Sequence, residues 1–402
     1  MSTSITERPA QYSHTKNEIR YRFLSTDLTP LKQYIEVELY ARIVGAASYT
    51  KVKTFNLKPN PDGITYVYLE GYIDSMLSWV LPVVNTTFTS AANQVAQFYI
   101  RYREVSETTP TPDWIGTEVD HIRLALKGGV EKQKWSRNNF FLWQGNTKSF
   151  YTWEPTNRYV FQNQFAFLSC FIKTTGTYKL TITVKKIGVD TPVVQQTNCS
   201  FTAAYFYHLN VGFTQLGINT IAGGDPVHYY EITLVNPSDA IEYAAVRFYV
   251  EQRPLYEYVD FIYHNSLGGV GTQRARGELM IGFDKEVQQM DGSMSNQGWN
   301  TVVKSAENYH NNIKKDTYKG DLGYFASKAH QDSCQDLLIS PSIYQWMDGR
   351  MVPVLNLQRN VSFRKTTDKV FSLPIEWQLA FANAVYTPQK IELGIGTETE
   401  TY

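Results

Sequence analysis

Hydrophobic and polar residues alternate with a period of two along much of the chain. In 35–43 the odd-numbered positions are apolar and the even-numbered positions are charged or tyrosine, and 96–103 and 178–185 show a similar alternation. Because successive strand side chains point to opposite faces of a sheet, each segment predicts a strand with one buried and one solvent-exposed face. Further strands are predicted at Ile64–Glu70, Tyr229–Val235, Val246–Glu251, Val259–Tyr263, Glu278–Phe283, Val352–Leu357 and Val370–Leu379.

Turn-forming residues separate these predicted strands. Glycine, proline, asparagine and aspartate cluster at 59–63, 128–129, 223–226 and 268–269. These residue types supply the backbone conformations that tight turns need. Many short strands with turns between them predict a mainly β fold of two or three antiparallel β-sandwich-like modules.

Helical periodicity is weaker, and we expect one or two short helices. Apolar residues of Ser327–Leu338 fall on one face of a helix, and Pro341 follows soon afterwards. Because a proline forces the preceding residue out of the helical region, we expect the helix to end before Pro341. A second short helix is predicted at Ile73–Val80, before Pro82.

Loops and changes in composition divide the chain into five predicted segments. They are an N-terminal arm (1–16), a β-sandwich module (17–157), a second β-sandwich module (158–265), a C-terminal β-rich module with a short helix (266–390) and an acidic tail (391–402). Within the C-terminal module, the polar segment Gln288–Asn300 predicts an exposed loop. We expect this loop and the tail to become ordered on contact with a partner.

A short internal similarity suggests that two of the modules are related. Phe98-Tyr99-Ile100, followed by Arg103, is matched by Phe248-Tyr249-Val250, followed by Arg253. Both triplets lie at the end of an alternating segment and precede a stretch that contains proline. The similarity therefore predicts two related sandwich modules, one in the first third of the chain and one in the middle.

Composition narrows the class of protein. The chain has 402 residues, with 38 Lys and Arg against 38 Asp and Glu, and so no formal net charge. This balance argues against nucleic acid as the main partner, because a protein that neutralises phosphates carries an excess of positive charge. Aromatic residues make up 14% and charged residues 19% of the chain, which excludes a disordered chain and a coiled coil.

The cysteines and the apolar segments bear on where the protein is made. Three cysteines, Cys170, Cys199 and Cys334, cannot form a disulfide framework, and Cys170 is expected to be a small buried hydrophobic residue. The first residues lack the apolar core of a signal peptide, and Met76–Val84 is too short to span a bilayer. We therefore expect synthesis in the cytoplasm, no cleaved signal and no membrane partner.

No motif typical of catalysis or of cofactor binding stands out. Ser266 lacks the glycine two positions earlier that a nucleophile elbow requires, so we expect a turn in which Gly268 and Gly269 have positive φ. The segment 268–272 matches no phosphate-binding loop motif. No local sequence signature singles out two of the acidic residues as the catalytic pair of a glycosidase. The histidines are scattered singly: His14, His121, His208, His228, His264, His310 and His330. The sequence therefore predicts no catalytic, cofactor-binding or metal-binding residue.

One cluster combines basic and aromatic residues: Lys127, Lys132, Lys134, Trp135 and Arg137. Such a combination can bind nucleic acid through charge and stacking. At zero net charge, a solvated loop that packs its tryptophan onto a neighbour is the favoured interpretation.

The excess of aromatic residues indicates a binding surface. The chain contains 28 Tyr and 21 Phe, and tyrosines such as Tyr40 and Tyr99 fall on the predicted outer faces of strands. Tyrosine and tryptophan are enriched where proteins contact each other. A subunit contact is favoured over a sugar-binding platform, although both would produce this pattern.

Five short stretches form a recognisable set. They are FIYHNSLGG at 261–269, DLLISPSIY at 336–344, EWQLA at 376–380 with Asn383, YTWEP at 151–155 and GYIDSML at 71–77. Together they resemble elements of uncharacterised structural proteins, of the tail or baseplate type, from tailed phages and prophages of Bacteroidetes hosts. The chain departs from those proteins at His264, Val270 and Gly271, where they more often carry apolar, aromatic or acidic residues.

The resemblance implies a virion structural protein of the tail or baseplate and supplies no catalytic residue. We therefore expect a non-enzymatic component of a bacteriophage particle, present in several copies, with itself and other virion proteins as partners. One alternative is a carbohydrate-binding adhesin or receptor-binding tip that contacts host-surface glycans. Another is a hydrolase with a dispersed site, which would need convergent carboxylates or a serine and a histidine within hydrogen-bond reach.

Overall fold

The computed structural model describes residues 3–26, 34–106, 114–117, 121–131, 139–253, 257–276, 279–291, 307–323, 325, 327–358 and 373–380. The chain divides into two compact units, one formed by 1–252 with 264–271 and the other by 253–263 with 272–402. Strands account for 52% and helices for 11% of the structure. The predicted mainly β fold, with antiparallel sandwich-like modules, is confirmed.

The first unit begins with a sandwich of two sheets, which we call the first sandwich. Its strands are β1 (Thr3–Glu7), β2 (Tyr12–His14), β3 (Arg20–Ser25), β4 (Tyr34–Ile43), β5 (Thr50–Leu57), β6 (Ile64–Tyr68), β8 (Val95–Val105), β9 (Gly116–Thr117) and β10 (Arg123–Leu126). Strand β7 (Phe88–Ser90) lies between β6 and β8 in the chain but pairs with a strand of the second sandwich. The large sheet has the order β2-β10-β8-β4-β5, with β9 beside β8, and the small sheet has the order β1-β3-β6. Helix α1 (Glu70–Met76) follows β6, and a 3-10 turn spans Ala92–Gln94.

The core of the first sandwich lies between its two sheets. Alternate residues of β3 and β4, such as Phe23 and Val37, are fully buried, and Phe98 of β8 joins the same cluster. Most of the intervening residues of β3 and β4 remain partly exposed, although Glu38 of β4 is buried. The period of two seen in the sequence is therefore the period of burial.

A second sandwich follows in the same unit. It consists of β11 (Asn157–Phe161), β12 (Phe167–Phe171), β13 (Gly176–Lys186), β14 (Val193–Phe201), β15 (Phe206–Asn210), β16 (Val227–Val235) and β17 (Ile241–Glu251). The large sheet has the order β11-β17-β16-β13-β14, and the small sheet has the order β12-β15-β7. Helix α2 (Asn139–Thr147) precedes this sandwich, and α3 (Ile218–Ile221) lies between β15 and β16.

The two sandwiches share one topology. In both, the first strand of the large sheet pairs in parallel with the last one, β2 with β10 and β11 with β17. The remaining equivalences follow chain order: β3 with β12, β4 with β13, β5 with β14, β6 with β15, α1 with α3, and β8 with β16. A tandem repeat of one supersecondary unit accounts for this correspondence.

The short similarity in the sequence does not follow this repeat. Phe98-Tyr99-Ile100 lies on β8, whereas Phe248-Tyr249-Val250 lies on β17. The topological counterpart of β8 is β16, so the two triplets occupy different positions in their sandwiches. Their likeness reflects a common requirement, because each places one aromatic side chain between two buried residues on a strand.

In the described part of the second unit, the chain forms one antiparallel sheet and two helices. Its elements are β18 (Tyr258–His264), β19 (Val270–Arg276), β20 (Met280–Asp291), β21 (Glu307–Asp321), α4 (Lys328–Ser333), α5 (Gln335–Ile339), β22 (Ile343–Met347), β23 (Arg350–Asn356) and β24 (Pro374–Leu379). The strand order is β19-β18-β22-β23-β24-β21-β20. The turn His264–Gly271 between β18 and β19 belongs to the first unit.

Several predicted elements differ from the observed ones. The helix predicted at Ser327–Leu338 is divided into α4 and α5, and α1 ends at Met76, four residues before the predicted end. Part of the predicted exposed loop is wrong, because residues 288–291 are the end of β20 and pair with β21. Residues 292–300 of that loop and the tail at 391–402 lie outside the described residues.

The predicted module boundaries remain predictions. Within the predicted N-terminal arm, β1 pairs with β3 and β2 pairs with β10.

Among the described residues, no helix has the length and apolar character that crossing a bilayer requires.

Candidate functional site

The turn between β18 and β19 is built on Asn265. Its side-chain Oδ1 accepts hydrogen bonds from the backbone N–H groups of Leu267 and Gly269, at 3.1 and 2.8 Å, and its Nδ2 donates to the carbonyl of Tyr151. An asparagine that binds its own downstream backbone fixes a tight turn. The turn predicted at this position is therefore confirmed.

The two glycines of this turn have different roles. Gly268 has a φ of 90°, as predicted, but positive φ is not found at Gly269, where that prediction is wrong. A Cβ on Gly269 would instead overlap the carbonyl oxygen of Tyr151. Gly268 thus supplies an unusual backbone conformation, whereas Gly269 permits a close approach between two backbones.

Ser266 is not arranged as a nucleophile. Its hydroxyl accepts a hydrogen bond of 2.9 Å from the indole N–H of Trp153. Its carbonyl accepts from the N–H of Gly129 at 2.6 Å. Both contacts attach the turn to other parts of the first unit, so Ser266 has a structural role here.

A second serine, Ser169, does lie within hydrogen-bond reach of a histidine. Ser169 Oγ is 2.9 Å from Nδ1 of His208, and Nε2 of His208 is 2.9 Å from Oε1 of Gln94. Gln94 Nε2 donates to the carbonyl of Gly268, which places its oxygen toward the ring. The ring is therefore protonated at Nε2 and accepts at Nδ1, so Ser169 is the donor.

Ser169, His208 and Gln94 form a hydrogen-bonded chain, which we call the relay. Its hydrogen bonds are all satisfied, and solvent does not reach it. Ser169 Oγ also accepts from the N–H of Val270 at 3.0 Å, so each polar atom along the relay has a partner. All three side chains are at most 1% exposed, and burial lowers the pKa of His208 to about 3. A hydrolytic triad carries a carboxylate where Gln94 stands, and its serine must reach substrate. The arrangement fits a buried network that fixes the fold.

Two other histidines, His14 and His264, are buried in the described part of the chain and are also neutral. His14 packs against Phe140 and Phe141, with ring centroids 4.9 and 4.8 Å away, and burial lowers its pKa to about 3. Neither ring nitrogen of His14 has a hydrogen-bond partner among the described residues. Burial lowers the pKa of His264 to about 4, and its Nε2 is 3.0 Å from the carbonyl of Val80.

Lys127, the first residue of the predicted basic cluster, does not lie in a solvated loop. Its side chain is buried, and Nζ donates to the carbonyl of Leu77 at 2.9 Å and to that of Asp74 at 3.2 Å. Its ammonium also lies 5.3 Å from the ring centroid of Trp79. Lys132, Lys134, Trp135 and Arg137, the other members of the basic cluster, lie outside the described residues.

Over the described ranges, no cluster of three or more His, Cys, Asp or Glu side chains could hold a metal ion. Cys170, Cys199 and Cys334 are free and buried. Burial raises the pKa of the Cys199 thiol to about 11, so this thiol is protonated at neutral pH.

The large sheet of the first sandwich presents aromatic and basic side chains on its outer side. Tyr40 and Tyr99 stack with ring centroids 5.2 Å apart. The guanidinium groups of Arg101 and Arg103 lie 4.4 and 4.5 Å from the ring centroid of Trp114. We call these five residues the first outer face.

The large sheet of the second sandwich presents a similar set, which we call the second outer face. Tyr159 and Tyr249 stack with centroids 5.5 Å apart, and Arg247 lies 4.2 Å from the centroid of Tyr229. Arg247 Nε donates to Glu231 at 2.7 Å. Hydrogen bonds with Tyr249 and Glu231 raise the pKa of Arg247, so its charge is permanent.

Both outer faces extend the sequence prediction for Tyr40 and Tyr99. The alternation of β4 and β8 identified those tyrosines, but the contributions of Trp114 and Tyr159 come from elements that pair with distant strands.

Comparison with models of known protein families and with curated proteins found no match to this chain.

Proposed function

We propose that this protein is a non-enzymatic structural component of a bacteriophage particle, of the tail or baseplate. In this proposal several copies assemble through the first and second outer faces. The resemblance of the five sequence stretches gives the kind of particle, and the two outer faces give the means of contact. The single observation that carries the proposal is the aromatic and arginine character of both faces.

The composition of the outer faces fits protein contacts. Tyr, Trp and Arg are the residues that contribute most binding energy at interfaces, because they bury large areas and form directional contacts. On the second outer face, Tyr159 is 48% exposed although it lies in the middle of a strand. Its stacking on Tyr249 holds it in place, so little side-chain entropy would be lost on binding.

The buried relay supports a structural role over hydrolysis. Ser169 and His208 fulfil one of the two geometric conditions stated for a hydrolase with a dispersed site, but each is at most 1% exposed. Substrate would reach Ser169 Oγ only after the surrounding strands had opened. The relay instead satisfies polar atoms of β12, β15 and the Asn265 turn.

A glycan-binding role is the second candidate, and the exposure of Tyr159 favours it. An exposed tyrosine ring can stack on a sugar. On the first outer face, however, the two guanidinium groups beside Trp114 already occupy its π system. A sugar would have to displace them, which favours protein contact for that face.

The test is the incorporation of the protein into phage particles. We expect mass spectrometry of purified particles to detect the protein in several copies. The double variant Arg247→Ala/Tyr249→Ala should fold normally yet be depleted from particles, whereas Gln195→Ala/Gln196→Ala, on exposed positions of β14, should be incorporated normally. Absence of the unmodified protein from particles would contradict the proposal, and binding of the free protein to a glycan array would favour the second candidate.

A further inference from the structure

The repeated topology reveals an open strand edge in the first sandwich. In the second sandwich, β15 pairs on one side with β12 and on the other with β7, a strand contributed by the chain that precedes this sandwich. Its counterpart in the first sandwich, β6, pairs only with β3 within the described residues. The position equivalent to that of β7 is therefore not filled by any strand among the described residues.

The two edges can be compared residue by residue. The five pairs from Arg20↔Tyr68 to Leu24↔Ile64 correspond to the five pairs from Phe167↔Asn210 to Phe171↔Phe206. Tyr66 thus corresponds to His208, and Tyr68 corresponds to Asn210. In β15 these even-numbered positions face β7, because the carbonyl of Phe206 accepts from Ala91 and the N–H of Asn210 donates to Thr87.

The backbone of β6 presents the same groups to the open side. The N–H of Leu69 donates to Ile19, and the carbonyl of Gly63 accepts from Ser25. Odd-numbered residues at both ends of β6 therefore face β3, and the alternation of an antiparallel ladder directs the N–H and C=O groups of Tyr66 and Tyr68 away from it. Unpaired groups of this kind are the template for an added strand.

The side chains beside this edge are also uncovered. Tyr66 is 38% and Tyr68 is 48% exposed, whereas their counterparts His208 and Asn210 are at most 1% exposed. Arg22, which pairs with Tyr66 across the sheet, has a buried Nε with no hydrogen-bond partner among the described residues. Lys53 is exposed on β5, the edge strand of the large sheet that contacts β6.

We propose that the open edge of β6 accepts residues 391–402 of a second copy of this chain as an added β-strand. The odd-numbered residues of 391–402 are Ile, Leu or Thr, and the even-numbered ones are Glu, Gly or Tyr. This is the alternation of a half-buried strand. Glu398 and Glu400 supply negative charge for the positive charges of Arg22 and Lys53, and the added backbone supplies partners for Tyr66 and Tyr68.

The inference rests on the proposed assembly of several copies, and it assigns one contact in that assembly. Strand exchange between identical chains is a route by which copies associate without other rearrangement. The outer faces would add contacts on other surfaces. The strand contact is testable in the free protein, whereas the proposed function is tested in particles.

The experiment measures self-association and peptide binding. The full chain should self-associate in sedimentation velocity runs, and a variant that lacks 391–402 should do so about tenfold more weakly or not at all. A labelled peptide of residues 391–402 should bind this shortened variant saturably. A peptide of the same composition in which the alternation is scrambled should not bind.

Tyr66→Pro on the shortened variant locates the site. Proline is tolerated on an edge strand where its nitrogen faces away from the ladder, so the fold is retained while the open-side N–H is lost. Peptide affinity should fall about tenfold. The peptide with Glu398→Lys and Glu400→Lys, which leaves the folded protein unchanged, should also bind about tenfold more weakly.

Three results would overturn the inference: no peptide binding, equal binding by the Tyr66→Pro variant, or a full chain that stays monomeric while its shortened variant binds the peptide. The last result would mean that residues 391–402 bind within the same molecule and not to a second one. Loss of incorporation into particles by outer-face variants, with peptide binding retained, would leave the strand contact standing. Absence of the protein from particles, by contrast, would contradict the proposed function alone.

Discussion

The hydroxyl of Ser169 donates to Nδ1 of His208 across 2.9 Å, although the two residues are 39 positions apart in the chain. They meet because β12 and β15 are antiparallel neighbours in which Ser169 lies opposite His208. The histidine in turn contacts Gln94, from the 3-10 turn that follows β7. The relay thus joins the two sandwiches through one neutral ring.

Replacing His208 should destabilise the protein strongly. His208→Ala leaves the Ser169 hydroxyl without an acceptor and Gln94 Oε1 without a donor in a buried site, and each such loss costs about 1–3 kcal/mol. We expect the free energy of unfolding to fall by roughly 3 kcal/mol, measured by urea denaturation. His228→Ala, at an exposed position, is the control and should change it by less than about 0.5 kcal/mol. Equal midpoints for the two variants would show that the relay does not stabilise the fold.

Replacing His14 should have the opposite effect. Both ring nitrogens of His14 are buried without partners among the described residues, beside Phe140 and Phe141. His14→Leu removes this unpaired polar surface and keeps a similar volume, so stability should rise by about 1 kcal/mol at neutral pH. Thermal denaturation followed by circular dichroism measures the change. A loss of stability would indicate that the ring has a polar partner.

Stability should decrease as the solution is acidified. Burial lowers the pKa of His14 and His208 to about 3 and that of His264 to about 4, whereas an unfolded histidine titrates near 6.5. Between these values the unfolded chain binds more protons than the folded chain. The free energy of unfolding therefore decreases as the pH is lowered through that window, by up to about 1.4 kcal/mol per pH unit for each histidine.

Urea titrations at about pH 7 and about pH 5 measure this dependence. His14→Leu removes one of the three groups, so its loss of stability between the two pH values should be smaller than that of the unmodified protein. The same loss in both proteins would contradict a neutral, buried His14.

Two glycines should respond to alanine with opposite signs. In Gly269→Ala the added Cβ overlaps the carbonyl oxygen of Tyr151, and we expect a loss of more than about 2 kcal/mol because backbone must move. Gly71→Ala lies in α1, where an added Cβ meets nothing within 4 Å, and should stabilise by about 0.5–1 kcal/mol. Denaturation midpoints of the two variants check the prediction, and a tolerated Gly269→Ala would contradict the close approach.

The local period of the sequence predicts strands well and long-range partners poorly. The alternation of 35–43 and 178–185 identifies β4 and β13 because each strand has one buried face. By contrast, β12 and β15 are buried on both faces, so Ser169 and His208 lie within apolar runs that carry no alternation. Helix α2 is also hard to predict from the sequence. Its aromatic residues pack in or against the core but show little helical periodicity.

The outer faces could be predicted only in part. Tyr40 and Tyr99 alternate with buried residues and were identifiable from the sequence. Trp114 reaches Arg101 through the pairing of β9 with β8, and Tyr159 reaches Tyr249 through the parallel pairing of β11 with β17. Such pairings depend on the topology of the whole sandwich, which a single strand pattern does not contain.

In the proposed particle, the outer faces contact neighbouring subunits. Covalent labelling of tyrosines, read by mass spectrometry in the free protein and in purified particles, tests it most directly. We predict that Tyr159, Tyr229 and Tyr249 are labelled in the free protein and protected in particles, while buried Tyr178 is unlabelled in both. Equal labelling of the three outer tyrosines in both states would contradict the claim.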